Sequence, residues 1–421
     1  MVDKDRVLEE HKRRKGKVEV VGKAAIGNQE ELSTYYTPGV AYPCLEIKER
    51  KELAYEYTSK SNMIAIVSDG TRILGLGNIG PEAGLPVMEG KSVLFKRFGG
   101  VDAVPLCIGT TDEEEILGFI RNIAPTFGAI NIEDIESPKA FRIVNRAQGM
   151  VDIPVFHDDQ QGTAVVAVAA LMNAVRLAGK GKDARIVING AGTAGIGVAR
   201  LAVYAGFSNV IVLDSKGAIY EGMEGGTNEF KAEIARHTNK ERRKGGLAEI
   251  AEGADVLIGL SKKGAFTTDM VRRMNEKPIV FALANPDPEI EYEEAKSAGA
   301  FIVATGRSDR PNQVNNVIAF PGIMRGLLDV RAKEINEEML YRAAVAVSKG
   351  IGRRLSAESI LQGVFDKDFW KTTANVAVAV AGAAAKTGTA RKSRTPKEIK
   401  SDFRKRLKRY ARLERRISGL Q

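Results

Sequence analysis

The sequence predicts an α/β protein of two domains: an N-terminal α/β domain and a Rossmann-like, doubly wound dinucleotide-binding domain, followed by a C-terminal basic helix. Three observations predict it. Short apolar runs alternate with longer helix-patterned segments along most of the chain, the signature of parallel sheets. One run, Ala184 to Asn189, leads into Gly190-Ala191-Gly192-Thr193-Ala194-Gly195, an apolar helix to Ala205, and a second run, Asn209 to Leu213, closed by Asp214. Strand, glycine turn, helix, strand and acid at this spacing form a dinucleotide cradle. Residues 391–421 carry 13 Lys+Arg against 3 Asp+Glu, which accounts for the whole net charge of +10. The body is therefore neutral, which argues against nucleic acid as its main ligand.

At 421 residues the chain exceeds one core. It divides into 1–160 (the N-terminal α/β domain), 161–390 (dinucleotide binding, with C-terminal helices) and 391–421 (basic amphipathic tail). The polar loop Gly179 to Lys182 is the clearest break along it. A hydrophobic content of 44% with 14 prolines fits a folded protein. Charged residues fill Met1 to Lys17, leaving no signal-peptide core, and the Ala/Val-rich stretches are interrupted by Asn, Lys or Arg. Two cysteines suggest neither a disulfide framework nor a cysteine zinc site. The expectation is a cytoplasmic protein with no membrane insertion.

In chain order, Asp3 to Lys15 reads as a polar surface helix. Tyr36 precedes the turn Thr37-Pro38-Gly39, where tyrosine more often packs than reacts. Asn62 to Val67 is a strand. The following Gly75-Leu76-Gly77-Asn78-Ile79-Gly80 matches a dinucleotide fingerprint in form only. Pro81 and Pro86 interrupt the helix that should follow, and no strand-ending acid lies about twenty residues on. Arg72 beside it can pair with a carboxylate ligand or form a surface ion pair. Lys91 adjoins an apolar segment; in a closed cleft beside a metal its pKa would fall and it could serve as a base. Val101 to Ile108 reads as a strand, and Asp112 to Ile120 as a helix with acids in its first turn.

Two strand-like runs then end in acids. Ala129 to Ile132 ends in Glu133-Asp134, and Ile153 to Phe156 leads through His157 to Asp158-Asp159. Four carboxylates at strand ends would suit a hard cation, Mg²⁺ or Mn²⁺; the alternative is two solvated loop ends. Thr163 reads as the N-cap of a helix to Ala178. In the cradle, Asp214 favours NAD by bonding the ribose 2′-hydroxyl, while Ser215 and Lys216 could receive the 2′-phosphate of NADP. Ala254 to Leu260, Pro278 to Ala284 and Phe301 to Ala304 complete the sheet, with Asn285-Pro286 and Thr305-Gly306 at its ligand edge. Asn315 or Asn316 could bond a substrate carboxylate or cap a turn. Residues 334–385 read as helices and 387–396 as a linker. The tail helix aligns Ile399, Phe403, Leu407, Tyr410, Leu413 and Ile417 on one stripe, suited to docking in a dimer, or else to RNA or an anionic membrane surface.

From about residue 15 to 390 the sequence resembles the malic enzyme family in its short bacterial and archaeal form. The resemblance rests on an ordered set: Tyr36-Thr37-Pro38-Gly39-Val40, Ile73 through Lys91, Asn131-Ile132-Glu133-Asp134, His157 through Thr163, Gly190 to Gly195, Ala284-Asn285-Pro286, and Asn315-Asn316. It implies Glu133, Asp134 and Asp159 as metal ligands, Lys91 as general base, Tyr36 as general acid and Asp158 as the neighbour that tunes Lys91. Arg72, Lys91, Asn285, Asn315 and Asn316 would hold the substrate. Gly190, Gly192, Thr193, Ala194, Gly195, Asp214, Ser215, Lys216 and Asn285 would hold NAD or NADP. The implied reaction is oxidative decarboxylation of (S)-malate to pyruvate and CO₂, with oxaloacetate decarboxylation as a partial activity and a homodimer as the assembly. The basic tail lies outside the family pattern. Two other readings stand beside this one. An amino-acid dehydrogenase of the same plan would need no metal. A nucleic-acid or membrane-binding protein would act through the tail.

Overall fold

A computed structural model describes residues 3–223 and 228–419, with side chains to 416. The N-terminal sheet is built from β1 (Met63–Ser68), β2 (Asp102–Cys107), β3 (Ala129–Ile132) and β4 (Val155–His157). All four are parallel, in the order β2-β1-β3-β4. Successive side chains of a strand face opposite ways. Accordingly Ala65 and Val67 pack with Ile130, Ile132 and Val155 under the helices Glu113–Ile123 and Lys139–Met150, while Ile64 and Ile66 face the molecular centre.

The second sheet uses β5 (Ile186–Asn189), β6 (Val210–Asp214), β7 (Gly217–Ala218), β8 (Val256–Gly259), β9 (Ile279–Ala282) and β10 (Ile302–Thr305). Its order is β10-β9-β8-β5-β6-β7, parallel except for the short β7. The chain leaves β5 toward one edge and returns at β8 toward the other. The crevice beyond the carboxyl ends of β5 and β8 is therefore the switch point where such sheets bind ligands.

Helices α1 (Pro81–Leu94) and α2 (Thr163–Ala178) join the two sheets through one shared core. Twelve residues of α2 are buried. Here two sequence expectations need correcting. The stretch Asp158–Ala178 is long and apolar enough to cross a membrane (mean hydropathy 1.4), but 72% of it is buried, as befits a core helix. Nor is Thr163 an N-cap: the helical path already begins at Asp158, in a wide π-type turn to Gly162. Thr163 itself has helical φ and ψ (−60°, −43°), and its hydroxyl engages Asn316 instead of a backbone N–H.

Downstream lie α3 (Thr193–Tyr204), α4 (Phe320–Asp329), α5 (Phe369–Lys386) and α6 (Pro396–Gly419). The 387–396 segment is pinned and not a free linker, because Arg391 reaches Asp152 Oδ2 at 2.7 Å and the Arg331 carbonyl at 2.9 Å. Thr395 and Glu398 then cap α6 reciprocally, with Pro396 in its first turn. Helix α6 docks on its own chain, burying Ile399 and Phe403 against α5. Leu407, Tyr410 and Leu413 are half-buried, and the side chain of Ile417 lies outside the described residues. The segment before β1 is different: helices Gln29–Tyr35 and Ala41–Glu49 bury none of their residues.

Candidate active site

Strands β3 and β4 are neighbours in register, Ile132 beside His157, so the acids that follow them meet. Carboxylate oxygens of Glu133, Asp134 and Asp159 lie within 4.8 Å of one another. Asn131, a polar residue inside a fully buried strand, donates to Glu133 Oε2 at 2.8 Å. The Asp134 N–H donates to Asp159 Oδ2 at 3.0 Å. Asp134 adopts φ +51°, a left-handed conformation that aspartate tolerates better than most residues, and its buried Oδ2 has no protein partner. A buried carboxylate oxygen left unpaired beside two further carboxylates is a donor set fitted to a hard divalent cation.

Lys91, near the end of α1, fills the other side of the cluster. Its Nζ is 2.5 Å from both Glu133 Oε1 and Asp158 Oδ2, and it stands 4.7 Å from the Phe320 ring centroid. Burial works against its ammonium, but the Asp158, Glu133 and Asp159 charges outweigh burial and hold its pKa well above the ordinary lysine value. With carboxylates alone around it, Lys91 is the cation they share; the lowered pKa expected of it applies with a metal bound beside it. Burial, with Asp159 next, raises Asp134 to about 7. Burial also raises Glu133 well above the usual range, against the pull of Lys91. Asp159 behaves oppositely. Burial would raise it, but His157, Lys91 and the Asp134 N–H hold it at about 2. A proton on this cluster and a divalent cation bound by it would compete.

Asp158 is fixed by what surrounds it. Asn316 Nδ2 donates to its Oδ2 at 3.1 Å. A Cβ on Gly162 would lie 1.8 Å from its Oδ1, so only glycine fits there. Asn315 instead accepts from the Val317 N–H and caps a turn. Arg72 is exposed, and its backbone N–H donates to the Asp134 carbonyl. Asn285 follows β9 across the cleft. A Cβ on Gly75 would meet the Pro286 ring at 2.6 Å, so the discounted glycine loop is what lets the 285–286 turn approach the first domain. Tyr36 is not brought into the cluster. It ends the helix Gln29–Tyr35 with 65% of its surface exposed.

In the cradle the three glycines have separate tasks. Gly190 takes φ +124°, and a Cβ there would strike the Leu260 carbonyl at 2.4 Å. A Cβ on Gly195 would sit 1.7 Å from the Gly190 carbonyl oxygen, so this glycine lets α3 close on the turn. Gly192 faces open space, as a close ligand approach requires. Thr193, in the first turn of α3, has a buried hydroxyl without a partner. Open space and an orphan donor at a helix N-terminus fit a pyrophosphate. Ala194 follows inside α3. Asp214 accepts from the Lys216 N–H at 2.8 Å and Lys231 Nζ at 2.6 Å, with Ser215 and Lys216 exposed beside it.

Sequence reasoning gave no role to Asn131, Phe320 or Lys231. Only Asn131 carried a signal, as the one polar residue in a four-residue apolar run.

Residues 15–118 match the model for the malic enzyme N-terminal domain, and residues 160–385 match that for the malic enzyme NAD-binding domain. The chain is 50% identical to the bifunctional malic/malolactic enzyme of Bacillus subtilis, covering 96% of this chain and 98% of that one. It is 46% identical to the NADP-dependent malic enzyme of Rhizobium meliloti, over 90% of this chain and 51% of the relative. The crystal structure of an NAD-dependent malic enzyme from Thermotoga maritima superposes with a TM-score of 0.86 at 46% identity, covering 91% of this chain and all of the other.

Proposed function

The chain belongs to the malic enzyme family, whose reaction is NAD(P)-dependent oxidative decarboxylation of malate, and we propose that the Lys91 cluster performs it here. What carries the reading is Lys91 held at 2.5 Å by two carboxylates, one of them part of a trio, two of its members buried, that is fitted to a cation.

Glu133, Asp134 and Asp159 would hold Mg²⁺ or Mn²⁺, which supplies Lewis acidity toward the substrate's C1 carboxylate and C2 oxygen. The Gly190–Gly195 turn, Thr193, Ala194 and the Asp214–Lys216 edge would hold NAD or NADP, with Asn285 at the nicotinamide end; the nicotinamide supplies the hydride acceptor. The remaining chemistry belongs to side chains of this chain. Lys91 takes the malate C2 hydroxyl proton once the cluster's negative charge is offset, since its raised pKa comes from those carboxylates. Asp158, fixed by Asn316, aims the Lys91 amine and receives the ammonium that forms. Arg72, Asn285 and Asn315 would bind the substrate carboxylates, while the Asn316 amide, expected there too, is taken up by Asp158 and Thr163. Oxidised substrate loses its C4 carboxylate as CO₂, and the electrons of the broken bond pass to the C2 oxygen. That oxygen takes back the proton held by Lys91 to give an enol. Tyr36 then protonates C3 while the enol O–H proton returns to Lys91, giving pyruvate. The same second half would decarboxylate added oxaloacetate.

Tyr36 has to be carried to that carbon, and its segment is unpacked. Val20 is 97% exposed, Tyr42 75% and Leu45 58%. Such apolar exposure marks an interface. We assign it to a homodimer that covers this segment and closes the cleft.

Malate-dependent nicotinamide reduction, run with NAD⁺ or NADP⁺, with and without Mn²⁺, and with pyruvate assayed, tests the proposal. Metal-dependent reduction with matching pyruvate is expected. Reduction that yields oxaloacetate and no pyruvate would remove the role given to Tyr36.

A further inference from the structure

Most of the net charge of the molecule resides on α6, which holds 10 Lys+Arg against 3 Asp+Glu, and the structure shows where it is aimed. Ile399 and Phe403 fasten α6 to α5. Arg394 bonds Asp402 and Asp329, and Arg406 Nη1 donates to Asn62 Oδ1 at 3.0 Å. The helix is thus a fixed element whose outer charges have set positions. Lys400, Arg404 and Lys408 recur every four residues, forming one row about 12 Å long. The row borders a groove of about 560 Å³ shared with Trp370 and Lys371 of α5. Trp370 is half-buried, with the Arg404 guanidinium 5.7 Å from its ring.

Little among the described residues neutralises this groove. Among the described residues, Lys371, Lys400 and Lys408 have no carboxylate within ion-pair distance, and Lys405 has only Asp402 at 3.6 Å. Like charges gathered on a rigid concave surface repel one another, and a bound anion relieves that repulsion. The volume falls in the range of small-ligand sites. An aromatic ring with a guanidinium beside it is a platform for a flat base, and several ammonium groups in a row suit linked phosphates.

We propose that the α5–α6 groove binds a nucleoside polyphosphate, its base against Trp370 and Arg404 and its phosphates along Lys371, Lys400 and Lys408. This site is separate from the Gly190–Gly195 cradle and does not depend on the role given to Lys91.

Trp370 is the chain's single tryptophan, so its emission reports on this groove without a label. Titrating the full-length protein with ATP at about 0.15 M salt is expected to give a saturable change below about 1 mM, with inorganic tripolyphosphate competing. In the double variant K400E/K408E the ATP response should weaken roughly tenfold or more. Malate-dependent nicotinamide reduction should stay unchanged, since neither lysine belongs to the catalytic cluster or the cradle; this also shows that the variant is folded. No saturable change with ATP, or equal affinity in the variant, would overturn the proposal. A response confined to single-stranded RNA oligomers would overturn it too, in favour of an extended nucleic-acid surface.

Discussion

Asp134 shows how much one residue can carry. It sits at positive φ, buried, with an unpartnered oxygen and a pKa of about 7. An unfolded aspartate titrates near 3.9. Because the folded value is raised, the folded state holds the proton more tightly between the two. That contribution to stability is complete below about pH 4 and is lost as pH rises through 7. A divalent cation would replace the proton, so metal and proton compete. In protein stripped of metal, the gain in Tm on adding Mn²⁺ should therefore grow from pH 5.5 to pH 8, as differential scanning fluorimetry can follow. A gain independent of pH would argue against Asp134 as a ligand. The residue scale is also where the sequence was least legible. The acid pairs stood out because each ends an apolar run, but Phe320 above Lys91 and Lys231 on Asp214 come from distant segments with no local mark. The exposure of Tyr36 was likewise unreadable, because it depends on what packs on its helix.

Elements were easier to read, since hydrophobic period and glycine placement are local. The strands at 63–68, 129–132, 186–189 and 210–214 lie where the apolar runs predicted them. The start of α2 was misread because Thr163 resembles a cap, while the real start uses acids near the positive helix end. The cradle glycines give a contrast worth measuring. Gly195→Ala drives a methyl into the Gly190 carbonyl and should lower stability as well as cofactor binding. Gly192→Ala meets no protein atom and has φ −85°, so it should leave Tm nearly unchanged while weakening NAD(P) binding. Isothermal titration beside thermal melts separates the two; a Gly192→Ala protein with unaltered cofactor affinity would contradict the assigned approach path. Phe403 is fully buried beneath α6. Phe403→Ala should cost about 3–5 kcal/mol, much of it as undocking of α6, seen as faster amide exchange over residues 396–416.

For the whole molecule, the two sheets, parallel except for β7, matched the sequence expectation, because alternating strand and helix patterns leave few topologies open. The single core that joins them was not foreseen, because the length alone argued for separate cores. The tail was harder. Its charge was plain in the composition, but its docking on α5 depends on surfaces that only the folded chain creates. Deleting residues 391–421 would expose those surfaces, so charge reversal is the cleaner probe of tail function. The central claim is that Lys91, held by Glu133 and Asp158, is the base of the malate reaction. It is tested most directly by the rate of nicotinamide reduction in Lys91→Ala at saturating malate and Mn²⁺, with cofactor affinity measured on the same protein. The account predicts a fall of about 10²–10⁴-fold, the range for losing a general base, with NAD(P) binding retained. Turnover near that of the unaltered protein would contradict it.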